Sequence, residues 1–257
     1  MPIASNEPSG TWTVRVTELI GGSSTVESFS VEPVAPGARV IAPAPDLSTF
    51  ALWSFDRDDP ACEALWADYE AQHRGRARVV EDGKSGGCLE SFASVDDSAE
   101  GLEISRAPAI GPSGRFSVEC WLKPKPEMVE ASMSMLLDCN YHLCTHESAR
   151  ANGGFALFLK RGKDGLRPRV ILGFGDRTVS FIAAPVQLEA GTWYHIGFVH
   201  DAAGAVTVYL DGTEIGGGKV AAGATAPARH ALIIGGRVGS THTGCAAFID
   251  EVRLAAE

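Results

Sequence analysis

Three groups of residues in this chain have types and spacings that could do chemistry. The densest is Asp138-Cys139-Asn140-Tyr141-His142-Leu143-Cys144-Thr145-His146-Glu147, with two cysteines and two histidines within eight residues. Cysteine and histidine ligate transition metals, although C-x-x-H-x-C-x-H is not a standard zinc spacing. Two other readings stay open: a Cys139–Cys144 disulfide closing the loop in an oxidising compartment, or a solvated loop with unpaired thiols. The second group is aromatic. Trp121, Phe158 and Tyr209 each alternate against the apolar set of their own segment, and Arg167, Arg169 and Arg177 lie near them in sequence. Flat aromatics with polar neighbours stack on the apolar faces of sugars. Trp121, Phe158, Arg169 and Tyr209 are therefore the candidate carbohydrate-binding residues; the alternative is burial of these aromatics under loops covering an outer sheet face. The third group is a single carboxylate, Glu119, beside Ser117 and Trp121. A lone exposed glutamate is more often a solvated side chain than an acid catalyst. No G-x-S-x-G elbow or phosphate loop occurs, and Gly235-Gly236 lacks the strand-to-helix context of one.

These residues need strands to position them. Gly191 to Gly212 reads GTWYHIGFVHDAAGAVTVYLDG. Tyr194, Ile196 and Phe198 share one face of a strand-period segment, and Val206, Val208 and Leu210 share one face of the next. Asp201-Ala202-Ala203-Gly204 between them reads as a hairpin loop, with Asp211-Gly212 as a second turn. A lone hairpin is marginal in water, so these strands require a facing sheet, with the hairpin expected near its centre. Phe116 to Pro124 alternates in the same way, which predicts that Cys120 is buried and unpaired among Phe116, Val118 and Leu122. Further strands are predicted at Leu89–Ala93, Leu102–Ser105, Met133–Leu137, Phe155–Lys160, Arg169–Phe174, Thr178–Ala183, Ala231–Gly235 and Ala246–Leu254. Turn signals at this frequency predict an all-β antiparallel two-sheet sandwich of about a dozen strands. Ala61–His73 carries helix-period apolar residues at Leu65, Trp66 and Tyr69 and predicts a short surface helix. Upstream, residues 10–34 alternate on either side of Gly21-Gly22-Ser23-Ser24 and predict a β-hairpin packed as an added layer, since Trp12, Val14, Val16, Phe29 and Val31 are too much apolar surface to leave in water. Pro33, Pro36, Pro43 and Pro45 then make a stiff linker. The expected domains are residues 1–45, hairpin and linker, and residues 46–257, the sandwich.

Composition narrows the partners. The chain has 257 residues, 45% of them hydrophobic, with 29 glycines, 6 cysteines and a formal net charge of −10. An acidic chain is a poor match for nucleic acid or an anionic membrane, both of which call for a basic face. No apolar run is long enough to span a bilayer. MPIASNEPSG at the N-terminus lacks the features of a signal peptide. Six cysteines in a chain of this size do not make a disulfide scaffold.

Five motifs occur in order and together carry a resemblance. They are Leu52-Trp53-Ser54-Phe55-Asp56, Gly83-Lys84-Ser85-Gly86-Gly87-Cys88-Leu89 and Phe116-Ser117-Val118-Glu119-Cys120-Trp121-Leu122-Lys123-Pro124. The W-x-H hairpin from Trp193 to Gly212 and Phe248-Ile249-Asp250-Glu251-Val252-Arg253-Leu254 complete the set. This order resembles laminin-G-like domains of the concanavalin A-like superfamily and implies a jelly-roll sandwich over residues 46–257. The residue 10–34 hairpin resembles the closing hairpin of an immunoglobulin-like domain.

The resemblance brings its own expectations. It implies that the first and last strands of the sandwich pair, bringing Asp56 and Asp250 together as ligands of a structural Ca²⁺, with Asp58 and Asp59 as further oxygen donors. The competing account neutralises the two aspartates with Arg253 or Arg57. Hydrolases of this superfamily carry an E-x-D-x-x-E strand, which is absent here, and the W-x-H histidine, His195, reads as structural. Together these imply a non-catalytic carbohydrate-binding or adhesion module of a larger exported bacterial protein. Such a module would be secreted or at the cell surface, with a glycan or a cell-surface protein as partner and its oligomeric state open. The alternatives are a structural or protein-interaction spacer without a sugar ligand and, third, a divergent glycan-active enzyme. Fold kinship alone does not choose among them.

Overall fold

The computed structural model describes residues 10–17, 24–31, 49–56, 70–94, 100–104, 115–140, 153–201, 203–220, 223, 225–228, 230–237 and 244–256. The chain divides into two units, Met1–Pro43 and Ala44–Glu257. In the first, β1 (Gly10–Thr17) pairs antiparallel with β2 (Ser24–Val31), in register from Gly10↔Val31 to Thr17↔Ser24.

The second unit opens with β3 (Thr49–Trp53), β4 (Ala71–His73), β5 (Arg78–Val80), β6 (Cys88–Glu90) and β7 (Leu102–Ile104). It continues through β8 (Phe116–Pro124), α1 (Pro126–Glu130), β9 (Met133–Asp138), β10 (Phe155–Arg161), β11 (Leu166–Gly173) and β12 (Thr178–Ile182). The last strands are β13 (Tyr194–His200), β14 (Ala205–Leu210), β15 (Thr213–Lys219), β16 (Leu232–Ile234) and β17 (Ala247–Ala256). One sheet runs β12-β11-β10-β9-β16-β7-β4. The other, of eight strands, runs β15-β14-β13-β8-β17-β6-β5, with β3 also paired to β17. The architecture is an all-β, unclosed two-sheet sandwich of the jelly-roll kind, with the first and last strands of the unit side by side through Val252↔Trp53 and Leu254↔Ala51.

Alternation places the core. Along β8, Phe116, Val118, Cys120, Leu122 and Pro124 are buried, while Ser117, Glu119, Trp121 and Lys123 are half-buried on the outer face. Phe116 and Phe198 of the eight-stranded sheet meet Phe155 of the other, with ring centroids 5.8 to 6.3 Å apart. Each such side chain stabilises the fold by about 1.5–3 kcal/mol through area removed from water. Cys120 is a free, fully buried thiol, as its place in the alternation requires, and burial pushes its pKa well up.

Two expectations need correction. The hairpin β13–β14 is not at the centre of its sheet; β8 and β17 are, because β17 pairs with β8 along one edge and with β6 and β3 in turn along the other. The helix expected over 61–73 does not reach its end: Ala71–His73 is an edge strand pairing Gln72 with Glu103. There Ala71 packs on the core, so tertiary pairing overrides the local helical period. Leu65, Trp66 and Tyr69 lie outside the described residues. The one helix among the described residues, α1, starts with Pro126 at its first turn and buries Met128 in the core. No described helix is long and apolar enough to cross a membrane.

Candidate functional site: the outer face of the eight-stranded sheet

Cross-strand pairing assembles this face in rows. Tyr209 (β14), Gly197 (β13), Glu119 (β8) and Arg253 (β17) lie in one row. His195, Trp121 and Asp250 form the next, and Lys123, Phe248, Glu90 and Arg78 a third. Residues directly opposite on one face are close enough to touch. Accordingly, the rings of Trp121 and His195 are 5.1 Å apart between centroids. Glu119 sits between two bases, with Arg253 Nη1 at 3.2 Å and His195 Nε2 at 3.6 Å. Gly197 leaves the first row without a side chain between Tyr209 and Glu119; a Cβ there would meet Glu119 Cβ at 2.8 Å. The Asp211 turn ties this region down: Asp211 N–H donates to His195 O at 2.7 Å, and His195 N–H donates to Asp211 Oδ1 at 2.7 Å. Asp211 and Gly212 both have positive φ, 49° and 74°, which a tight two-residue hairpin turn demands.

Cations and aromatic rings alternate across the face. Lys84 Nζ lies 4.3 Å over the Trp121 ring. Lys123 Nζ lies 5.0 Å from the Trp193 ring and 4.7 Å from Phe248, and Lys125 Nζ lies 3.8 Å from Phe92 and 4.9 Å from Phe248. An ammonium over a ring face is held by the ring quadrupole, while the lysine stem covers apolar surface. The carboxylates complete the pattern. Lys123 pairs with Asp82 at 2.8 Å, while Glu90 takes Lys125 at 2.8 Å and Arg78 at 2.7 Å. Burial would push the Glu90 carboxyl up, but Lys125 and Arg78 hold it below its ordinary value.

The turn carrying Lys84 is clamped from two strands. Lys84 N–H and Ser85 N–H donate to Asp250 Oδ2 at 2.7 and 3.0 Å, and Glu251 N–H donates to Asp250 Oδ1 at 2.8 Å. Asp250 and Glu251 sit where the β17–β8 register shifts, and Glu251 takes φ 49° there; the bulge turns Asp250 onto the Gly83–Gly87 turn. From the end of β3, Asp56 Oδ1 accepts Gly87 N–H at 3.1 Å. Gly86 has φ 70°, and a Cβ on it would collide with Asp56 Oδ1, so only glycine serves. Asp250 is wholly buried, and desolvation raises its pKa to about 7 against the pull of its three N–H donors.

The structure therefore brings Asp56 and Asp250 to one turn, where the described groups they meet are backbone N–H donors. A hard cation needs a shell of oxygens. No group of three or more His, Cys, Asp or Glu that could hold a metal occurs among the described residues. Arg253 pairs with Glu119. Arg57, Asp58 and Asp59 lie outside the described residues.

The four candidate sugar-binding residues do not form one surface. Trp121 and Tyr209 are half-buried on the face just described. Phe158 and Arg169 are cross-strand partners in the other sheet, and Phe158, 4% exposed, is packed with Met135, Ala156 and Ile171. Alternation put each residue on the correct side of its strand but could not say to which sheet that strand belonged. Arg167 and Arg177 are held by Asp164 and Asp176. Cys139 is a free buried thiol whose Sγ accepts Phe155 N–H at 3.4 Å, and burial pushes its pKa up. Beside it, Asp138 forms a buried ion pair with Arg237. Tyr141 to Glu147 lie outside the described residues. Sequence reasoning missed Lys84, Phe92, Lys125, Trp193 and Phe248. Lys123 was readable, since it lies two residues after Trp121 and so shares its face.

A family model described as the concanavalin A-like lectin/glucanases superfamily matches residues 96–256, more than half of the chain. The chain belongs to this superfamily. No curated protein matches it in sequence. Among solved structures it is similar to domain 4 of AbnA, an extracellular arabinanase from Geobacillus stearothermophilus, in complex with arabinotriose, at 18% identity and TM-score 0.56, over 81% of this chain and 92% of that one. It is also similar to the botulinum neurotoxin serotype D binding domain, at 10% identity and TM-score 0.59, over 82% of this chain and 48% of that one. The serotype D ligand-binding domain in complex with N-acetylneuraminic acid gives TM-score 0.58 at the same identity and coverage. The chain thus spans about half the length of the neurotoxin domains. At these identities the likeness is one of fold.

Proposed function

We propose that the Ala44–Glu257 unit is a non-catalytic carbohydrate-binding module of a larger exported bacterial protein, and that it meets its glycan on the outer face of the eight-stranded sheet around Trp121. The observation that carries the reading is the clustering of half-buried Trp121, Trp193, Phe248, Phe92 and Tyr209 on one sheet face, interleaved with charged hydrogen-bonding groups. The spot above a ring that attracts an ammonium also attracts the polarised C–H groups of a sugar. A sugar stacking on Trp121 therefore takes the place of Lys84, whose flexible stem lets the ammonium move aside. Structures of the same fold were solved with arabinotriose and N-acetylneuraminic acid, and one of them is itself a domain of an extracellular enzyme; both facts support the reading.

Absence of catalysis is supported by the setting of Glu119. Glycoside hydrolysis takes two carboxyl groups about 5–9 Å apart across the sugar. The residues directly opposite Glu119 on the neighbouring strands are Gly197 and Arg253, and Asp250, in the next row, is buried and bound by three backbone N–H donors. A spacer or protein-interaction domain is the second reading, supported by the internal pairing of Lys123 and Lys125 with acidic neighbours. A glycan array probed with the purified chain separates the two. Binding that is lost in Trp121→Ala while the variant remains folded supports the module; an array with no bound glycan supports the spacer.

A further inference from the structure

We propose that the saccharide read by this face is acidic, carrying a carboxylate or sulfate on an otherwise neutral chain, and that Lys84 is the residue that reads it. This rests on the carbohydrate-binding reading above and adds the class of ligand. The argument begins with a difference among the lysines of the face. Lys123 and Lys125 each have a carboxylate at 2.8 Å. Among the described residues Lys84 has no carboxylate within ion-pair distance; only the charge of Asp211 reaches it, from further off. Its ammonium rests instead on the Trp121 ring and is half-buried. A cation partly removed from water and held only by a ring quadrupole gains more from a new anionic partner than one already paired.

The position of Lys84 is built, not incidental. Its own backbone N–H is bound by the buried Asp250, its neighbour Ser85 by the same oxygen, and Gly87 by Asp56. Gly83 N–H closes the turn on Gly86 O at 2.9 Å. Asp250 and Asp56 are thus positioning residues: they fix where the lysine stem leaves the backbone, next to the one tryptophan of β8. A sugar that stacks on Trp121 displaces the ammonium by a few ångströms, and a carboxylate or sulfate on that sugar or its neighbour meets it with a charge-assisted hydrogen bond. The chain's net charge of −10 opposes a densely charged polymer, which is why an isolated acidic sugar fits better than a polyanion.

The test uses matched pairs: glucuronyl-xylotriose against xylotriose, sialyllactose against lactose, and a sulfated against an unsulfated galactobiose, titrated calorimetrically into the wild-type chain. At least one acidic member is expected to bind about tenfold or more tightly than its neutral partner. That preference is expected to shrink between about 50 mM and about 500 mM salt as the charges are screened. It should vanish in Lys84→Gln, survive in Lys84→Arg, and leave the melting temperature of both variants near wild type. Trp121→Ala should lose acidic and neutral binding alike. Equal affinity for both members of every pair, or an acid preference that persists in Lys84→Gln, overturns the inference while the carbohydrate-binding reading stands. No binding of any member, at concentrations where the chain is folded, overturns both.

Discussion

The outer faces of the two sheets carry the same kind of sequence and end differently. On β8, Trp121 stands two residues from Glu119 and Lys123 and stays half-exposed among cations. On β10, Phe158 stands two residues from Ala156 and Lys160, yet it is buried with Met135, Ala156 and Ile171. Both aromatics point away from the main core, so period-2 alternation treats them alike. What separates them is the neighbours across the strands. Trp121 is flanked by His195 and the Asp250 bulge, Phe158 by Met135 and Arg169. Polar partners on both sides leave Trp121 half-exposed, whereas Met135, Ala156 and Ile171 gather around Phe158 as a second small core.

Truncation breaks this contrast most sharply. Phe158→Ala is expected to destabilise the fold by about 3–5 kcal/mol, the usual range for a buried phenylalanine, as read by chemical denaturation. Trp121→Ala is expected to cost under about 1.5 kcal/mol, since the ring is only half-buried, while removing glycan binding. Equal losses at the two sites would mean that the face around Trp121 is structural.

Asp250 is an intermediate case, a carboxyl of the outer face that the Gly83–Gly87 turn covers. Its folded pKa, about 7, stands above the ordinary 3.8. The folded state therefore holds the proton more tightly than the unfolded chain. The stability this adds is fully present below about pH 3.8 and is lost as pH rises through about 7. Between about pH 4 and about pH 8, the wild type is expected to lose melting temperature relative to Asp250→Asn, by an amount worth of the order of 4 kcal/mol. Parallel pH profiles for the two proteins would show that the three N–H donors hold Asp250 ionised throughout.

The smallest expected effect is none. Because Asp250 and Asp56 meet N–H donors, the melting temperature is expected to be the same with calcium, magnesium or EDTA. A calcium-dependent rise that disappears in Asp250→Ala would overturn the account of the turn and restore the metal.

Much of this molecule was legible in its residues one strand at a time. The alternation of Phe116, Val118, Cys120 and Leu122 determined both the strand and the burial of Cys120, because a pleated segment can turn only alternate side chains to one core. Asp201 to Gly204 and Asp211-Gly212 determined their turns, since positive φ and local Asp hydrogen bonds are properties of those residues themselves. The ordered motifs from Leu52 to Leu254 determined the superfamily. Tertiary structure alone decided which outward residues meet. Phe158 and Trp121 parted because β10 and β8 belong to different sheets. Lys84 reached Trp121 because a bulge in β17, more than 160 residues away, puts Asp250 under the lysine's backbone. Side-chain periodicity is written along the chain, but the pairing of distant strands, and with it the composition of a face, is set only when the sheets close on their common core.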